Sequence, residues 1–385
     1  MGKRVILYSH DTVGLGHIRR VTAIARALAD DDPTSSILIL SGSPMADAHA
    51  LPPNVDIVKL PAVRKGRNQG YEARRLALPR QEIVSLRASL IRSAVAGFRP
   101  DLFIVDKVPL GIHGELRGTL EELGEETQVV LSLRDILDEP SAVREAWNRD
   151  GSLKAIREHY DRVLVWGTPE VYDLVAEYRL PEDVAEKVEY CGYIANGEPP
   201  AAAPKSAKKL VLATVGGGVD GFALLDTFLR SLPLTTSKFA SVLLMGPDLS
   251  DEDRRTLRRQ VTSCERPVFA VDFSRNVDRL IDAADVVITM GGYNTLCEVI
   301  ARGRRAIVVP RIHPRREQLI RAERFRDLGL VRVIHPDALE PAGLARVLDD
   351  ELQNPSAPAQ RLDFGGLQRA LDVLNTDSRS GWSHS

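Results

Sequence analysis

The chain has 385 residues, of which 44% are hydrophobic, 27% charged and 5% aromatic, and its formal net charge is −2. That length exceeds what one compact core holds and suits two domains. The balanced charge excludes the strongly basic profile of a nucleic-acid binder and the charge excess of a disordered chain, and the scarce aromatics exclude a stacking platform for single strands.

The opening MGKRVILYSHD has an apolar run only from Val5 to Tyr8, too short for the core of a signal peptide. No stretch approaches about 18 uninterrupted apolar residues, so no transmembrane helix is expected. Cys191, Cys264 and Cys297 are far apart and lack CxxC spacing. They read as small buried hydrophobes in a reducing compartment. The expected location is the cytoplasm.

In chain order, short apolar runs alternate with amphipathic segments. Strands are expected at Arg4–Ser9, Ile37–Ser41, Val55–Leu60, Leu102–Asp106, Val129–Leu133 and Val163–Trp166. Each is rich in Val, Ile and Leu with little polar alternation, as in parallel strands covered on both faces. Helical patterns lie between them, for example Ile18–Ala29 and Ile83–Val95. Alternation of this kind predicts a doubly wound parallel sheet.

The segment from Gly197 reads GEPPAAAPKSAKK and is aperiodic, which makes residues 197–208 the expected linker. The alternation then restarts, with strands expected at Leu210–Val215, Ser241–Met245, Val268–Val271, Asp285–Met290, Arg305–Val309 and Val331–Ile334. The expected organisation is therefore an α/β chain of two Rossmann-like units at residues 1–196 and 209–350. A helical segment at 351–375 follows, and a polar tail at 376–385 is expected to be disordered. The final helical pattern, near Gly366–Leu374, is compatible with either unit. Two such units present their strand C-termini across a cleft, so function is expected in the strand-to-helix loops.

Three of those loops carry glycine and open helices. The first runs Ser9-His-Asp-Thr-Val-Gly14-Leu-Gly16-His17-Ile-Arg-Arg20. Gly14 and Gly16 permit a sharp turn and a close backbone approach, and the helix beginning near His17 points its amides at a ligand, so Gly14, Gly16 and Arg20 are expected to bind the nucleotide sugar. The second is Thr214-Val-Gly216-Gly217-Gly218-Val-Asp220-Gly221, which no Gly-Lys-Ser/Thr follows, so it is not a P-loop. A flexible turn is its simplest reading. The third is Met290-Gly291-Gly292-Tyr293-Asn294-Thr295-Leu-Cys297-Glu298. Asn294 or Thr295 suits an N-cap. Glu298 would lie one turn into the helix, where it can accept two hydrogen bonds from a ribose diol or simply complement the helix dipole. A fourth loop, Pro310-Arg311-Ile-His313-Pro314-Arg315-Arg316-Glu317-Gln318, gathers polar groups directly after a buried strand.

With those loops in place, the chain resembles the GT-B glycosyltransferases. It is similar in particular to the family that adds N-acetylglucosamine to the lipid-linked peptidoglycan precursor. The likeness is strongest over about residues 209–335. There the Gly-rich loop, Val271-Asp-Phe273-Ser274, Ala284-Asp285-Val-Val, the Gly-Gly loop with Glu298, and Pro310, His313 and Gln318 follow that family's donor domain in order. The N-terminal half matches through Gly14-Leu-Gly16-His17 and architecture alone.

The resemblance implies that Gly216, Gly217, Gly218, Gly291 and Gly292 line a diphosphate. It implies that backbone around Phe273 and Ser274 contacts the base, uracil in that family, and that Glu298 binds the ribose. Glu317 and Gln318 stand where the family has a Gln-Gln pair reading the donor sugar, and Arg321 replaces an amide-bearing residue. These departures weigh against N-acetylglucosamine as the donor sugar. The sparser glycine pattern near Gly14 weighs against the peptidoglycan precursor as acceptor.

The implied reaction is an inverting transfer of a hexose or N-acetylhexosamine from a nucleotide diphosphate sugar, UDP-linked in that family's manner, to a glycan or lipid-linked hydroxyl. His17 is the first candidate base, because an ordinary imidazole titrates near working pH. Asp135 and Asp106, each at the end of an expected strand, are reserves, with ion pairing or capping as their simpler roles. Helix N-termini, helped by Arg275, would stabilise the leaving diphosphate, so no metal or cofactor is implied. The acidic D-x-D at Asp251-Glu-Asp253 reads as a surface helix start. Gly14-x-Gly16-His17-x-x-Arg20 also resembles nucleotide-sugar hydrolases of the same fold. An epimerase and a non-catalytic nucleotide-sugar binder complete the alternatives.

Ten basic residues lie between Lys59 and Arg99, namely Lys59, Arg64, Lys65, Arg67, Arg74, Arg75, Arg80, Arg87, Arg92 and Arg99, against Glu72 and Glu82 alone. A mobile loop is expected at Arg64–Gly70. The region reads either as a solvated face or as a patch for an anionic head group at the inner face of the membrane.

Overall fold

The computed structural model describes residues 2–10, 16–44, 51–66, 70–195, 209–274, 276–354 and 361–376. The chain divides into two compact units, Met1–Ile194 with Asp363–Ser385, and Ala195–Leu362.

The first unit runs β1 (Arg4–Ser9), α1 (Gly16–Asp31), β2 (Ser36–Ser41), β3 (Val55–Lys59), β4 (Val63–Lys65), β5 (Tyr71–Ala73), α2 (Arg80–Phe98), β6 (Leu102–Asp106), α3 (Arg117–Glu122), β7 (Gln128–Arg134), α4 (Pro140–Asp150), α5 (Ser152–His159), β8 (Arg162–Trp166), α6 (Leu174–Tyr178), α7 (Glu182–Ala185) and β9 (Val188–Tyr190). Seven strands form one sheet in the order β3-β2-β1-β6-β7-β8-β9, every pair parallel. Its central strands are apolar along their length because helices cover both faces. In β1 every residue after Arg4 is buried. The amphipathic α1 buries Ile18, Val21, Ile24, Ala25 and Leu28 against β1 and β2. A fully buried Ile or Leu contributes about 1.5–3 kcal/mol.

The second unit runs β10 (Lys209–Thr214), α8 (Phe222–Ser231), β11 (Phe239–Leu244), α9 (Asp251–Ser263), β12 (Val268–Val271), α10 (Val277–Ala283), β13 (Val286–Thr289), α11 (Tyr293–Ala301), β14 (Arg305–Val308), α12 (Glu317–Asp327), β15 (Arg332–Val333) and α13 (Pro341–Gln353). Its parallel sheet has the order β12-β11-β10-β13-β14-β15. Leu225, Phe228, Leu243, Leu257, Ile288 and Leu348 anchor its core. Ser250 caps α9, its hydroxyl accepting the Asp253 N–H at 3.1 Å, so the acidic D-x-D triplet is the first turn of a helix.

The final helix, α14 (Gly366–Thr376), belongs to the first unit. It buries Ala370, Leu371 and Leu374 and packs along α1, where Asn375 Nδ2 donates to Asp31 at 3.1 Å. The Tyr193 N–H donates to the Asp363 carbonyl at 2.7 Å and fixes the return. No periodicity specifies which unit this helix joins.

Two local expectations are corrected. Arg64 and Lys65 do not lie in a loop: β4 pairs with β5 as an antiparallel hairpin, Arg64 opposite Glu72 and Lys65 opposite Tyr71. The hairpin rests on a small satellite core of Val63, Ile83 and Ile112. The basic stretch is also not one open face. Arg87 is fully buried, and Arg64 and Arg92 are paired with Glu72 and Glu122. Arg67, the expected linker at 197–208 and the tail beyond Thr376 lie outside the described residues.

Candidate active site

In an open parallel sheet, ligands bind beyond the strand C-termini where the strand order reverses. In the first unit that point lies between β1 and β6. The register sets Tyr8 against Val105, which brings the chain just beyond β1 beside Asp106. The start of α1 lies over the same edge and supplies His17 and Arg20.

These three side chains form a buried cluster. Their relative exposures are 8% for His17, 2% for Arg20 and 1% for Asp106. His17 Nδ1 lies 2.6 Å from Asp106 Oδ2. Arg20 Nε donates to Asp106 Oδ1 at 3.1 Å, and Arg20 Nη2 donates to the same oxygen. Burial acts to raise the Asp106 pKa, but Arg20 and then His17 outweigh it and hold the carboxyl well below its usual range. Burial pulls His17 down to about 3, against the pull of Asp106. The imidazole is therefore neutral at working pH. An ionised Asp106 accepts from its Nδ1–H and leaves Nε2 as the basic nitrogen.

The candidate roles are revised accordingly. Asp106 is committed to His17 and Arg20 and orients the imidazole, so it is no reserve base. Arg20, assigned from sequence to nucleotide-sugar binding, is instead inside the cluster holding Asp106. Asp135 is buried after β7, where its Oδ1 accepts the Ile136 N–H at 2.7 Å. Gly16 opens α1, while Gly14 lies outside the described residues.

In the second unit the strand order reverses between β10 and β13, and both glycine loops stand there. The loop after β10 interlocks with the loop after β11. Gly218 has φ +98, and a Cβ there would lie 2.6 Å from the Met245 carbonyl oxygen. A Cβ on Gly246 would lie 2.5 Å from the Gly216 carbonyl oxygen, and the Asp248 N–H donates to Gly217 at 2.7 Å. Close packing between loops thus accounts for Gly218. Gly216 is exposed, with no atom within 4 Å of a Cβ.

The N-cap of α11 is Gly292, so Asn294 and Thr295 are the second and third helical residues and neither caps. Gly291 has φ +83 and packs on Val308, whereas Gly292 has open space at its Cβ position. Glu298 lies beyond the first turn and is 1% exposed, so dipole complementation at the helix start does not explain it. Arg321 is fully buried beneath this loop. Its Nη1 donates to the Gly291 carbonyl at 3.5 Å, and its guanidinium lies 5.5 Å from the Tyr293 ring centroid.

Arg311 ties further loops together. Its N–H donates to Gln318 Oε1 at 3.1 Å, and its guanidinium reaches Asp220 at 3.2 Å and Glu317 at 3.3 Å. Glu317 is buried, while His313 is exposed. Phe273 and Ser274 are half-buried after β12, where Ser274 Oγ accepts the Asn276 N–H at 3.1 Å. Arg275 lies outside the described residues. Sequence reasoning missed the bracing by Arg311 and Arg321. The only signal was that Arg321 departs from the family pattern.

Residues 212–371 match the Glycosyltransferase family 28 C-terminal domain. The chain is 28% identical over 141 residues to the UDP-N-acetylglucosamine--N-acetylmuramyl-(pentapeptide) pyrophosphoryl-undecaprenol N-acetylglucosamine transferase of Streptococcus mutans, covering 36% of each chain. It is 26% identical over 238 residues to an uncharacterized glycosyltransferase of Methanopyrus kandleri, covering 58% of this chain and 63% of that one. It therefore spans less than two thirds of the length of these relatives. Among solved structures, the glycotransferase of kitacinnamycin matches with a TM-score of 0.65 at 16% identity, over 97% of this chain and 98% of that one. Over residues 212–371 the chain is therefore similar to the glycosyltransferase family 28 C-terminal domain, and its two parallel-sheet units have the GT-B fold.

Proposed function

We propose that the chain is a metal-independent glycosyltransferase. It moves a hexose or N-acetylhexosamine from a nucleotide diphosphate carrier, UDP-linked by analogy with its relative, to a glycan or lipid-linked hydroxyl with inversion. The observation that carries this reading is the buried His17–Asp106 pair at the switch point of the first unit, on a chain whose second unit matches a glycosyltransferase domain.

In this reading the acceptor hydroxyl gives its proton to His17 Nε2 as its oxygen bonds to the anomeric carbon. The bond from that carbon to the diphosphate oxygen breaks, and the nucleotide diphosphate departs with the electron pair. Asp106 stabilises the imidazolium as it forms. In the second unit, backbone at Gly216, Gly217, Gly291 and Gly292 faces the diphosphate, and the start of α11 meets its charge. Glu298 takes the ribose, and Phe273 and Ser274 take the base. His313, Glu317 and Gln318 address the sugar. The nucleotide sugar is a substrate, and the reaction needs no cofactor.

The lipid-linked form of the acceptor is supported by the surface around α2. Arg74, Arg75 and Arg80 are exposed there, as are Leu76, Leu86 and Leu90. No described helix is long and apolar enough to cross a membrane, so contact with an anionic bilayer would be peripheral.

The test is a thermal-shift screen of UDP, TDP, GDP and their sugars, since selective binding stabilises the folded state. Nucleotide release is then measured from the stabilising sugar with and without candidate acceptors. Selective stabilisation with slow release in water supports the reading. Fast release without acceptor would make the chain a nucleotide-sugar hydrolase, and no stabilisation by any nucleotide would refute it.

A further inference from the structure

Tyr71 opens β5, and three elements hold its three polar groups. Its N–H donates to His113 Nε2 at 3.2 Å. Its carbonyl accepts from Arg80 Nε, at the start of α2, at 3.1 Å. Its hydroxyl lies 3.4 Å from Nε2 of His10, just beyond β1.

The rings form a continuous edge-to-face row. His113 and Tyr71 have centroids 5.5 Å apart, Tyr71 and His10 6.0 Å, and His10 and His17 5.7 Å. The row ends on the imidazole that Asp106 orients. Its near end is anchored, because Tyr71 packs against the satellite core of Val63, Ile83 and Ile112. Its far end is closed in, since His10 is 2% exposed.

The tautomer of His113 follows from geometry. A backbone N–H only donates, so His113 Nε2 must carry a lone pair and the ring must be neutral with its proton on Nδ1. His113 adopts φ 52 and ψ 32, a left-handed conformation that a non-glycine residue adopts only when its surroundings impose it. The ring is exposed, so solvent protons reach it. Partial burial and then its charged neighbour Arg80 lower its pKa, and its other charged neighbour, Glu115, raises it; the net shift is downward. Glu115 is itself held by Tyr8 and Arg87.

We propose that His10 and Tyr71 are positioning residues for His17, and that neutral His113 is the latch holding them in place. A proton on Nε2 removes the acceptor for the Tyr71 N–H and sets two donors against each other. The latch is therefore closed above the pKa of His113 and opens as pH falls through it. This inference rests on the transferase reading of His17. Neither His10 nor Tyr71 is required to touch substrate.

The test uses full-length Tyr71→Phe, His113→Gln and His113→Ala. Gln offers an oxygen acceptor that does not titrate. Three readouts are taken from about pH 8 downward through and below the ordinary histidine range, because the His113 pKa is shifted down. They are amide exchange at Tyr71, thermal shift with UDP, and UDP release from the UDP-sugar that binds. In the wild type, Tyr71 protection and kcat should fall together at the acid end. In His113→Gln both should persist there. His113→Ala should lack protection throughout, and it and Tyr71→Phe should lower kcat by about fivefold or more with the UDP shift and KM little changed. An unaltered acid limb in His113→Gln, or unchanged kcat in the other two variants, would overturn the proposal. If the wild type releases no nucleotide from any sugar, the transferase reading fails by itself. Exchange at Tyr71 then decides the latch, and equal protection in His113→Gln and His113→Ala at neutral pH would overturn it.

Discussion

His17 Nδ1 lies 2.6 Å from Asp106 Oδ2, although 89 residues separate the two in the chain. They meet because β1 and β6 are neighbours in the sheet and α1 starts over the edge where both strands end. Arg20, one turn further along α1, neutralises the same carboxylate.

Asp106→Asn removes the charge that selects the Nδ1–H tautomer and stabilises the imidazolium. The expected loss is about 10³–10⁴-fold in kcat. The UDP-induced thermal shift, which reports the second unit, should persist. Single-turnover nucleotide release together with the thermal shift checks this, and retention of kcat within about tenfold would remove Asp106 from its orienting role.

The pH dependence of His17 has a definite sign. Its folded pKa of about 3 lies below the ordinary value of 6.5, so the native state resists a proton that the unfolded chain accepts. Its contribution to stability is complete above the unfolded pKa and is lost as pH falls from 6.5 toward 3. Asp106, also depressed, adds to the loss below the ordinary carboxylate range. Denaturant melts at stepped pH should show stability declining through this window, more steeply than in His17→Gln.

Adjacent glycines of the α11 loop separate folding from binding. At Gly292 the backbone is ordinary, φ −60, and a Cβ meets nothing. Gly292→Ala should leave the melting temperature unchanged while weakening UDP about tenfold, if backbone there faces the diphosphate. Gly291→Ala combines φ +83 with a contact 2.9 Å from Val308. It should destabilise by about 1–3 kcal/mol. Calorimetry on both variants distinguishes the two effects.

The Arg87–Glu115 pair is wholly buried, with bonds of 2.7 and 2.8 Å, and Arg87 Nη1 also donates to the Pro61 carbonyl. Glu115→Leu leaves the guanidinium unpaired and should cost about 3–5 kcal/mol in urea unfolding. Removing both partners as Arg87→Met with Glu115→Leu should recover much of that loss, because the uncompensated buried charge disappears.

Contact with an anionic bilayer should be strongest at low salt, where the charge of Arg74, Arg75 and Arg80 is least screened. Leu86→Glu with Leu90→Glu replaces two exposed apolar side chains of α2, 39% exposed each. The pair should reduce co-sedimentation with phosphatidylserine vesicles. Absence of wild-type binding at low salt would dismiss the membrane proposal.

The amino-acid order alone marked the central strands of both sheets, though not the hairpin strands β4 and β5 or the edge strand β9. Runs such as Val5–Tyr8 and Val286–Thr289 have no solvent-facing alternation and must be covered on both faces. It also marked the glycine loops, because a glycine between an apolar strand and a helix signals a constrained turn. It assigned Arg20 to the ligand rather than to Asp106, left Arg87 indistinguishable from a surface cation, joined α14 to neither unit, and treated the basic stretch as one face. The tertiary structure decided these. A buried charge takes its role from the partner that neutralises it, and those partners, Asp106 and Glu115, lie on other elements. Periodicity records which residues must leave water, whereas sheet order determines which of them meet.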